Sequence, residues 1–193
     1  MNSEKEVSKI YSKIKLISNV DLQSEMSKSV DFKSLNMSGI QYFSVAFKLH
    51  DSPVTKTFAC DTGWFKFLNS DDFLSQYFLK EDKIWREVYR FACRCRKDNV
   101  GIQKTLLYST FDYTSKFYNE ILLRRKKFEL KNGVMFLNNH KEFSTCLTFS
   151  SNHRHFSELN FAVKQNQIMQ NALWQVLNCI EDLSIVSEKN EII

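Results

Sequence analysis

Histidines and cysteines are the residues in this sequence that could do metal or redox chemistry, and their spacing is unspecific. His153 and His155 are two residues apart in a segment predicted to be a loop, with His140 upstream, and this is a poor match to the ligand spacing of zinc sites. Cys93 and Cys95 lack the spacing of a zinc knuckle or of a thioredoxin-like redox site. We therefore expect no metal and no cofactor.

Motifs of catalysis are missing as well. The sequence contains no GxSxG, Walker or GxGxxG motif. Its acidic residues are scattered, and no pair of them is placed for acid–base work. Cys146, in a predicted strand, is expected to be a buried and inert thiol. The sequence predicts a binding protein and not an enzyme.

Composition restricts the class of protein further. The chain has 193 residues, of which 43% are hydrophobic and 14% aromatic, including seventeen Phe. This is too apolar for a disordered chain and sufficient for one buried core. The five cysteines are odd in number, which favours a reducing compartment, and no apolar run approaches the ~18 residues of a membrane span. We expect one cytoplasmic domain over residues 1–186, followed by a flexible tail or the start of a linker at 187–193.

A net charge of +5 makes the chain mildly basic. Two basic clusters contribute to it, at 90–97 and at 124–127. Such runs are common on solvated helix faces, which is the reading we adopt. A protein that binds anionic membranes or nucleic acid through these clusters is the less favoured alternative.

Four short segments have strand character. Residues Ile40–Leu49 and Val54–Cys60 flank the turn residues around Pro53 and form a predicted hairpin. Residues Gly133–Leu137 and Phe143–Phe149 form a second one. Helices are predicted on both sides of these hairpins, which together indicate an α/β/α sandwich with a mostly antiparallel central sheet, as in PAS and GAF domains.

The predicted helices account for most of the remaining chain. Apolar residues recur at helical spacing over Ser3–Leu16, and a short helix follows through Leu22 and Met26. The segment from Trp64 to about Tyr118 is helical and rich in aromatics. The longest helix is predicted from His155 to about Val186, with an apolar stripe formed by Met169, Leu173, Val176, Leu177 and Ile180.

The second hairpin and the last helix resemble the ligand-binding domain of LuxR-type quorum-sensing regulators. In that family a Gly opens a strand, a polar turn follows, and the next strand contains Leu-Ser/Thr-aliphatic-or-aromatic-Ser before a long helix. Here these features are Asn132-Gly133-Val134, then Leu147-Thr148-Phe149-Ser150. Leu173-Trp174 occupies the place of a large apolar pair on the helix.

The upstream part of the family pattern is only partly matched. The stretch Tyr77 to Asp82 is similar to the one leading into a conserved Asp-Pro pair, but Lys83 replaces the Pro. Phe73 then takes the place of a Tyr and Asn69 that of a Trp. Trp64 would serve as the family's Trp only if an insertion follows it. The ligand type is therefore less well supported than the fold.

The resemblance implies a small-molecule pocket between the sheet and its helices. Asp82 would accept a hydrogen bond from a ligand amide, and the Thr148 hydroxyl would point into the pocket. The alternatives are a surface carboxylate and an ordinary cross-strand Thr. The expected ligand-binding residues are Tyr42, Trp64, Phe73, Tyr77, Asp82, Trp85, Phe111 and Thr148.

The resemblance also implies partners. The ligand would be a small amphipathic signal, such as an acyl-homoserine lactone or a different molecule, and the protein a homodimer that does not bind membranes. DNA would be bound only through a helix-turn-helix that these 193 residues do not contain. The alternative function is an orphan interaction or dimerisation module whose pocket is filled by its own side chains.

Overall fold

A five-stranded antiparallel sheet forms the centre of the computed structural model, which describes residues 4–29, 39–52, 55–60, 100–101, 103–110, 130 and 132–183. Its strands are β1 (Tyr42–Leu49), β2 (Thr55–Ala59), β3 (Gln103–Leu107), β4 (Asn132–Asn139) and β5 (Phe143–Ser151). The spatial order is β2-β1-β5-β4-β3, and every neighbouring pair is antiparallel. Both predicted hairpins, the antiparallel sheet and the α/β class are therefore confirmed.

Four α-helices accompany the sheet in the described part of the chain. They are α1 (Glu4–Leu16), α2 (Asn19–Ser29), α3 (Glu158–Lys164) and α4 (Asn166–Asp182), and a single 3-10 turn, Tyr108–Thr110, follows β3. Serines begin two of the helices. Ser18 Oγ accepts a hydrogen bond from Asp21 N (3.0 Å), and Ser157 Oγ accepts one from Asn160 N (3.2 Å). Both are N-caps that satisfy amides of the first helical turn.

Two sequence predictions need correction. The segment predicted as helical between Trp64 and Tyr118 contains β3, whose sequence Gln-Lys-Thr-Leu-Leu lacks strand alternation and gains its conformation by pairing with β4. The long C-terminal helix is divided at Gln165, whose backbone (φ −111°, ψ 21°) departs from helical values. Residues 100–101 of the same segment form a turn and Tyr108–Thr110 a 3-10 turn, while residues 64–99, 102 and 111–118 lie outside the described residues.

One face of the sheet packs on helices, and we call it the helix face. Strand side chains such as Phe43, Phe47 and Phe149 point to this side. Against them lie Ile10 and Ile14 of α1, with further residues of α2, α3 and α4. The apolar stripe predicted on α4 is confirmed as buried, because each of its five members lies in this core. Burial of this stripe explains why α4 forms at this place.

Helix α2 closes one edge of the sheet with side-chain amides. Gln23 donates from Nε2 to the Ala59 carbonyl (2.6 Å) and accepts from the Ala59 N–H at Oε1 (3.0 Å). Asn19 Oδ1 accepts from the Thr57 N–H (3.1 Å). The edge strand β2 thereby has backbone groups satisfied by a helix, which protects it from pairing with another chain.

Candidate functional site

The second face of the sheet, which we call the small-residue face, has a different composition from the helix face. Successive side chains of a strand point to opposite faces, and directly paired residues share a face. Register therefore places Ser44 beside Thr148 and Ala46 beside Cys146 at the centre of this face. The outward-pointing positions are Tyr42, Ser44, Ala46, Thr57, Ala59, Gly133, Met135, Leu137, Cys146, Thr148 and Ser150.

The two faces also differ in how tightly they are sealed. On the helix face, Phe47 and Leu147 expose 0% of their surface and Val45 exposes 1%. On the small-residue face, Ala46 and Thr148 each expose 7%, and Ser44, in the interior of the sheet, is half-buried. The described α-helices contribute no side chain to the apolar cluster on the small-residue face. The middle of the small-residue face is therefore slightly less completely buried than the middle of the helix face.

One end of the small-residue face is closed by an aromatic ring. A Cβ atom built on Gly133 would lie 2.7 Å from Tyr108 Cε2 and 2.9 Å from Ser150 Oγ, so the Tyr108 ring lies directly on the Gly133 backbone. Glu158, at the start of α3, fixes this corner. Its carboxylate accepts from the Gly133 N–H (2.7 Å) and from the Ser109 N–H (2.8 Å).

Two hydroxyl groups of β5, those of Ser150 and Thr148, also lie on the small-residue face. Ser150 is completely buried, and its Oγ has no hydrogen-bond partner among the residues that the structure describes. Thr148 Oγ1 is 4.0 Å from Cys146 Sγ, a weak contact. Burial raises the pKa of the Cys146 thiol to about 12, so the prediction of a buried thiol agrees with the structure. This part of the sheet offers hydrogen-bonding groups that the protein itself uses little.

At the opposite end of the small-residue face, three polar side chains are hydrogen-bonded to one another. Ser144 Oγ donates to Asn139 Oδ1 (2.9 Å) and therefore accepts from His50 Nε2, which is 3.0 Å away. Burial lowers the pKa of His50, which favours its neutral form.

His140 belongs to the helix-face side of the same hairpin. Its ring stacks on Phe143, with 4.6 Å between ring centroids. Its Nε2 lies 3.4 Å from both Asn138 Nδ2 and Thr145 Oγ1, two groups that can donate to a neutral imidazole. Burial, with a smaller contribution from the charge of His50, lowers the pKa of His140 to about 4. His140 is therefore neutral near pH 7.

Two of the predicted ligand-binding residues are described, and the structure places them on one face. Tyr42 and Thr148 both point to the small-residue face, on adjacent strands and neighbouring rungs. Trp64, Phe73, Tyr77, Asp82, Trp85 and Phe111 lie outside the described residues. Their role remains a prediction.

Sequence reasoning missed Ser44, Ala46 and Ser150 as members of the same face. Their signal was available: β1 alternates large apolar residues with small ones, where a solvent-facing strand usually carries charged residues. The sequence predicts no metal site at His140, His153 and His155. His153 and His155 are exposed, and no group of three His, Cys, Asp or Glu within the described ranges could hold a metal ion.

Comparison with known proteins matches no protein family and no curated protein. Solved structures do match. SdiA of Escherichia coli superimposes with a TM-score of 0.52 at 11% identity, over 96% of this chain and 71% of SdiA. The chain has the fold of SdiA. SdiA in complex with octanoyl-rac-glycerol gives a TM-score of 0.49 at 12% identity, over 93% of this chain and 67% of that one.

A third solved structure is CepR2 of Burkholderia cenocepacia, an N-acylhomoserine lactone-dependent LuxR-family transcription factor. It gives a TM-score of 0.47 at 7% identity, over 93% of this chain and 95% of CepR2. The fold shared with SdiA agrees with the fold that the resemblance in the sequence implies. In the described residues, no helix is long and apolar enough to cross a membrane.

Proposed function

We propose that this chain is a ligand-sensing domain of a LuxR-type regulator and that the small-residue face is the floor of its ligand site. The proposed ligand is a small amphipathic molecule. The single observation that carries the proposal is the composition of this face: Ser44, Ala46 and Thr148 stand in the middle of the sheet, and Ser44 is only half-buried there. Small side chains at these positions leave room for a ligand that large ones would fill.

The chemistry of the floor suits a molecule with both apolar and polar parts. Ala46, Met135, Leu137 and Cys146 are apolar neighbours that can cover methylene groups, each worth about 0.8 kcal/mol when removed from water. Hydroxyls of Ser44 and Thr148 can hydrogen-bond a carbonyl or an amide, at roughly 0.5–1.5 kcal/mol each. Affinity would come from the apolar part and discrimination between ligands from the polar groups.

The opposite wall is proposed from the sequence resemblance alone. Asp82 would accept from a ligand amide, and Trp64, Phe73, Tyr77 and Trp85, with Phe111, would supply apolar surface. Tyr42 would form the boundary near Ser150. The substitutions of the family pattern at Asn69 and Lys83 favour a ligand other than an acyl-homoserine lactone. A homodimer is part of the proposal.

Two experiments test the proposed function. Denaturing extraction followed by mass spectrometry asks whether a small molecule copurifies with the protein. Thermal unfolding is then measured with added octanoyl-rac-glycerol and with an N-acyl-homoserine lactone. A bound ligand at a hundredfold excess over its dissociation constant stabilises the fold by about 2.7 kcal/mol. No copurifying molecule and no thermal shift with either compound would contradict a site for this ligand class.

A pair of variants tests whether the ligand that causes the thermal shift binds at the small-residue face. Ala46→Leu places bulk in the middle of the small-residue face and is expected to abolish the shift in melting temperature. Thr105→Leu places the same side chain at an exposed position of β3 and serves as the control, with an unchanged shift. Equal shifts in both variants would place the ligand elsewhere on the protein.

The alternative is an orphan module in which the protein's own side chains fill the space above the floor. The departures from the family pattern at Asn69, Phe73 and Lys83 are what favour it. In that case Ala46→Leu would be destabilising by about 1–3 kcal/mol without any ligand, because an occupied core does not tolerate extra volume. The stability of the Ala46→Leu variant without ligand therefore distinguishes a ligand-sensing domain from an orphan module.

A further inference from the structure

An open groove lies where the chain passes from β5 into α3, and we call it the loop–α3 groove. Its volume is about 350 Å³, within the size range of small-molecule sites. The residues that bear on its chemistry are His153, His155, Phe156, Asn160, Lys164 and Gln165. The buried ring of Phe161 lies at its base and packs on Phe149, with 5.6 Å between ring centroids. Because Phe149 belongs to the helix face, the sheet separates this groove from the small-residue face.

The loop that lines the groove is held by hydrogen bonds from its backbone amides. Phe156 N donates to His153 O (3.1 Å), which closes a turn. His153 N donates to Ser151 Oγ (3.1 Å). Asn152 N donates to Gln41 Oε1 (2.9 Å), which attaches the loop to the chain entering β1. Groups that are fixed in this way lose little conformational freedom when a ligand binds.

Two aromatic rings give the groove an apolar base. The rings of Phe156 and Phe161 are 5.5 Å apart between centroids and tilted by 43°. Phe161 is buried, whereas Phe156 is only half-buried, so part of its surface is open to the groove. An apolar group placed on that surface is removed from water, and an aromatic group can also stack on the ring. The base therefore suits a ligand with an aromatic part.

The rim of the groove is basic. Lys164 carries a positive charge, and the imidazoles of His153 and His155 can donate a hydrogen bond through a ring N–H in either protonation state. All three side chains are exposed. Among the described residues that line the groove, none is Asp or Glu, and Lys164 forms no ion pair within the described part of the chain. The rim is therefore complementary to an anion.

The number of charges favours a carboxylate over a phosphate group. Lys164 is the one lysine or arginine among the described residues that line the groove, and it matches one negative charge. A phosphate group carries nearly two negative charges at pH 7. Asn160 and Gln165 add side-chain amides, whose N–H groups can donate to carboxylate oxygens. Gln165 is placed at the groove by the break between α3 and α4.

We propose that the loop–α3 groove is a second ligand site, which binds a small aromatic carboxylate. The aromatic ring of the ligand lies on Phe156, and its carboxylate accepts hydrogen bonds from Lys164 and from the imidazoles of His153 and His155. The proposal does not require that the small-residue face binds a ligand. Since the two sites are on opposite sides of the sheet, both can be occupied in the same molecule.

The first test titrates the isotope-labelled full chain with naphthoate and follows the backbone amide signals by NMR. The signals of Ser157, Asn160 and Gln165 are expected to shift with one common dissociation constant. Naphthamide has the same ring without the charge and should bind about tenfold more weakly. Naphthyl phosphate carries the larger charge and should bind no more tightly than naphthoate.

Two pairs of variants test the assignment to the groove. Lys164→Gln should weaken naphthoate binding by about threefold to tenfold, because it removes an exposed charge from the rim. Lys28→Gln removes the same charge from an exposed position of α2 and should leave binding unchanged. Asn160→Trp fills the groove without changing its charge and should abolish binding, whereas Leu159→Trp, at the neighbouring exposed position, should not. Circular dichroism establishes that all four variants are folded.

Several results would overturn the proposal. These are no shift of the groove amides with naphthoate, equally tight binding of naphthamide, and unchanged binding in both Lys164→Gln and Asn160→Trp. Tighter binding of naphthyl phosphate than of naphthoate would overturn the choice of a carboxylate. Failure of naphthoate to bind, together with a thermal shift by octanoyl-rac-glycerol, would refute this second site and leave the proposed function intact.

Discussion

The two faces of the central sheet are built from the same strands and have opposite properties. Phe149 and Thr148 are neighbours in β5, yet Phe149 is sealed among rings, with 5.3 Å between its centroid and that of Phe43, while Thr148 retains some contact with solvent. The helix face carries large side chains that interlock with helices, as a core for stability does. The small-residue face carries small side chains at its centre, Ser44, Ala46 and Thr148. The difference separates the part of the sheet that forms the helix-covered core from the part that we propose as the ligand site.

The largest expected effect comes from truncating adjacent residues on the two faces. Phe149→Ala removes a ring from the sealed core and should lower the free energy of unfolding by about 3–5 kcal/mol. Thr148→Ala removes two heavy atoms from the small-residue face and should cost less than about 1 kcal/mol. Urea unfolding of both variants gives the two values. Comparable losses would mean that the two faces are packed alike.

Substitutions that add volume, instead of removing it, should show the same contrast between the two faces of the sheet. Val45→Phe has no space to enter on the helix face and should destabilise the fold by about 1–3 kcal/mol. Ser44→Leu, one residue earlier and on the small-residue face, should change stability by less than about 1 kcal/mol. A destabilisation by Ser44→Leu as large as that by Val45→Phe would remove the distinction.

Gly133 marks where the space over the small-residue face ends. Gly133→Ala places a methyl group against the Tyr108 ring, at 2.7 Å from its Cε2 atom, and should destabilise the fold by about 1–3 kcal/mol. Combining it with Tyr108→Ala should give a loss smaller than the sum of the two single variants, because the clash is then absent. Additive losses would show that the ring is not what restricts this position.

The smallest expected effect is a pH dependence of the free energy of unfolding, which is caused by His140 on the helix-face side of the second hairpin. His140 has a folded-state pKa of about 4, below the ordinary 6.5, so the unfolded chain binds more protons between these values. Its contribution to stability is complete above pH 6.5 and decreases as pH falls towards 4, by about 1 kcal/mol per pH unit. Unfolding free energies at pH 7 and 5.5 should show a weaker pH dependence in His140→Gln than in the parent chain. Cys146, protonated throughout this range, adds nothing to the slope.

The sheet could be predicted because its strands carry local signals. The turn residues around Pro53 and the alternating pattern of β1 marked the first hairpin, and Gly133 marked the second. β3 could not be predicted in this way, since its five residues acquire their conformation from pairing with β4. The break at Gln165 has no Gly or Pro beside it, and both flanking segments fit one helical period.

The candidate site was harder to predict than the fold, because burial is a tertiary property. Ser44 and Ala46 alternate with Val45 and Phe47, a pattern that a half-exposed strand also shows. Only the register of β1 with β5 reveals that these small residues adjoin Thr148 and Cys146 and form one continuous face. Thr148 was identified through the family resemblance and not through its surroundings.

The account's central claim is that a ligand binds over the small-residue face, and methyl NMR tests it most directly. Methyl-labelled protein is titrated with octanoyl-rac-glycerol, or with the molecule that copurifies. We predict shifts of the Ala46 and Met135 methyl signals, while those of Val45 and Leu147, on the same strands or their neighbours but facing the helices, remain in place. A ligand that binds while the Ala46 and Met135 signals stay unmoved would contradict the claim.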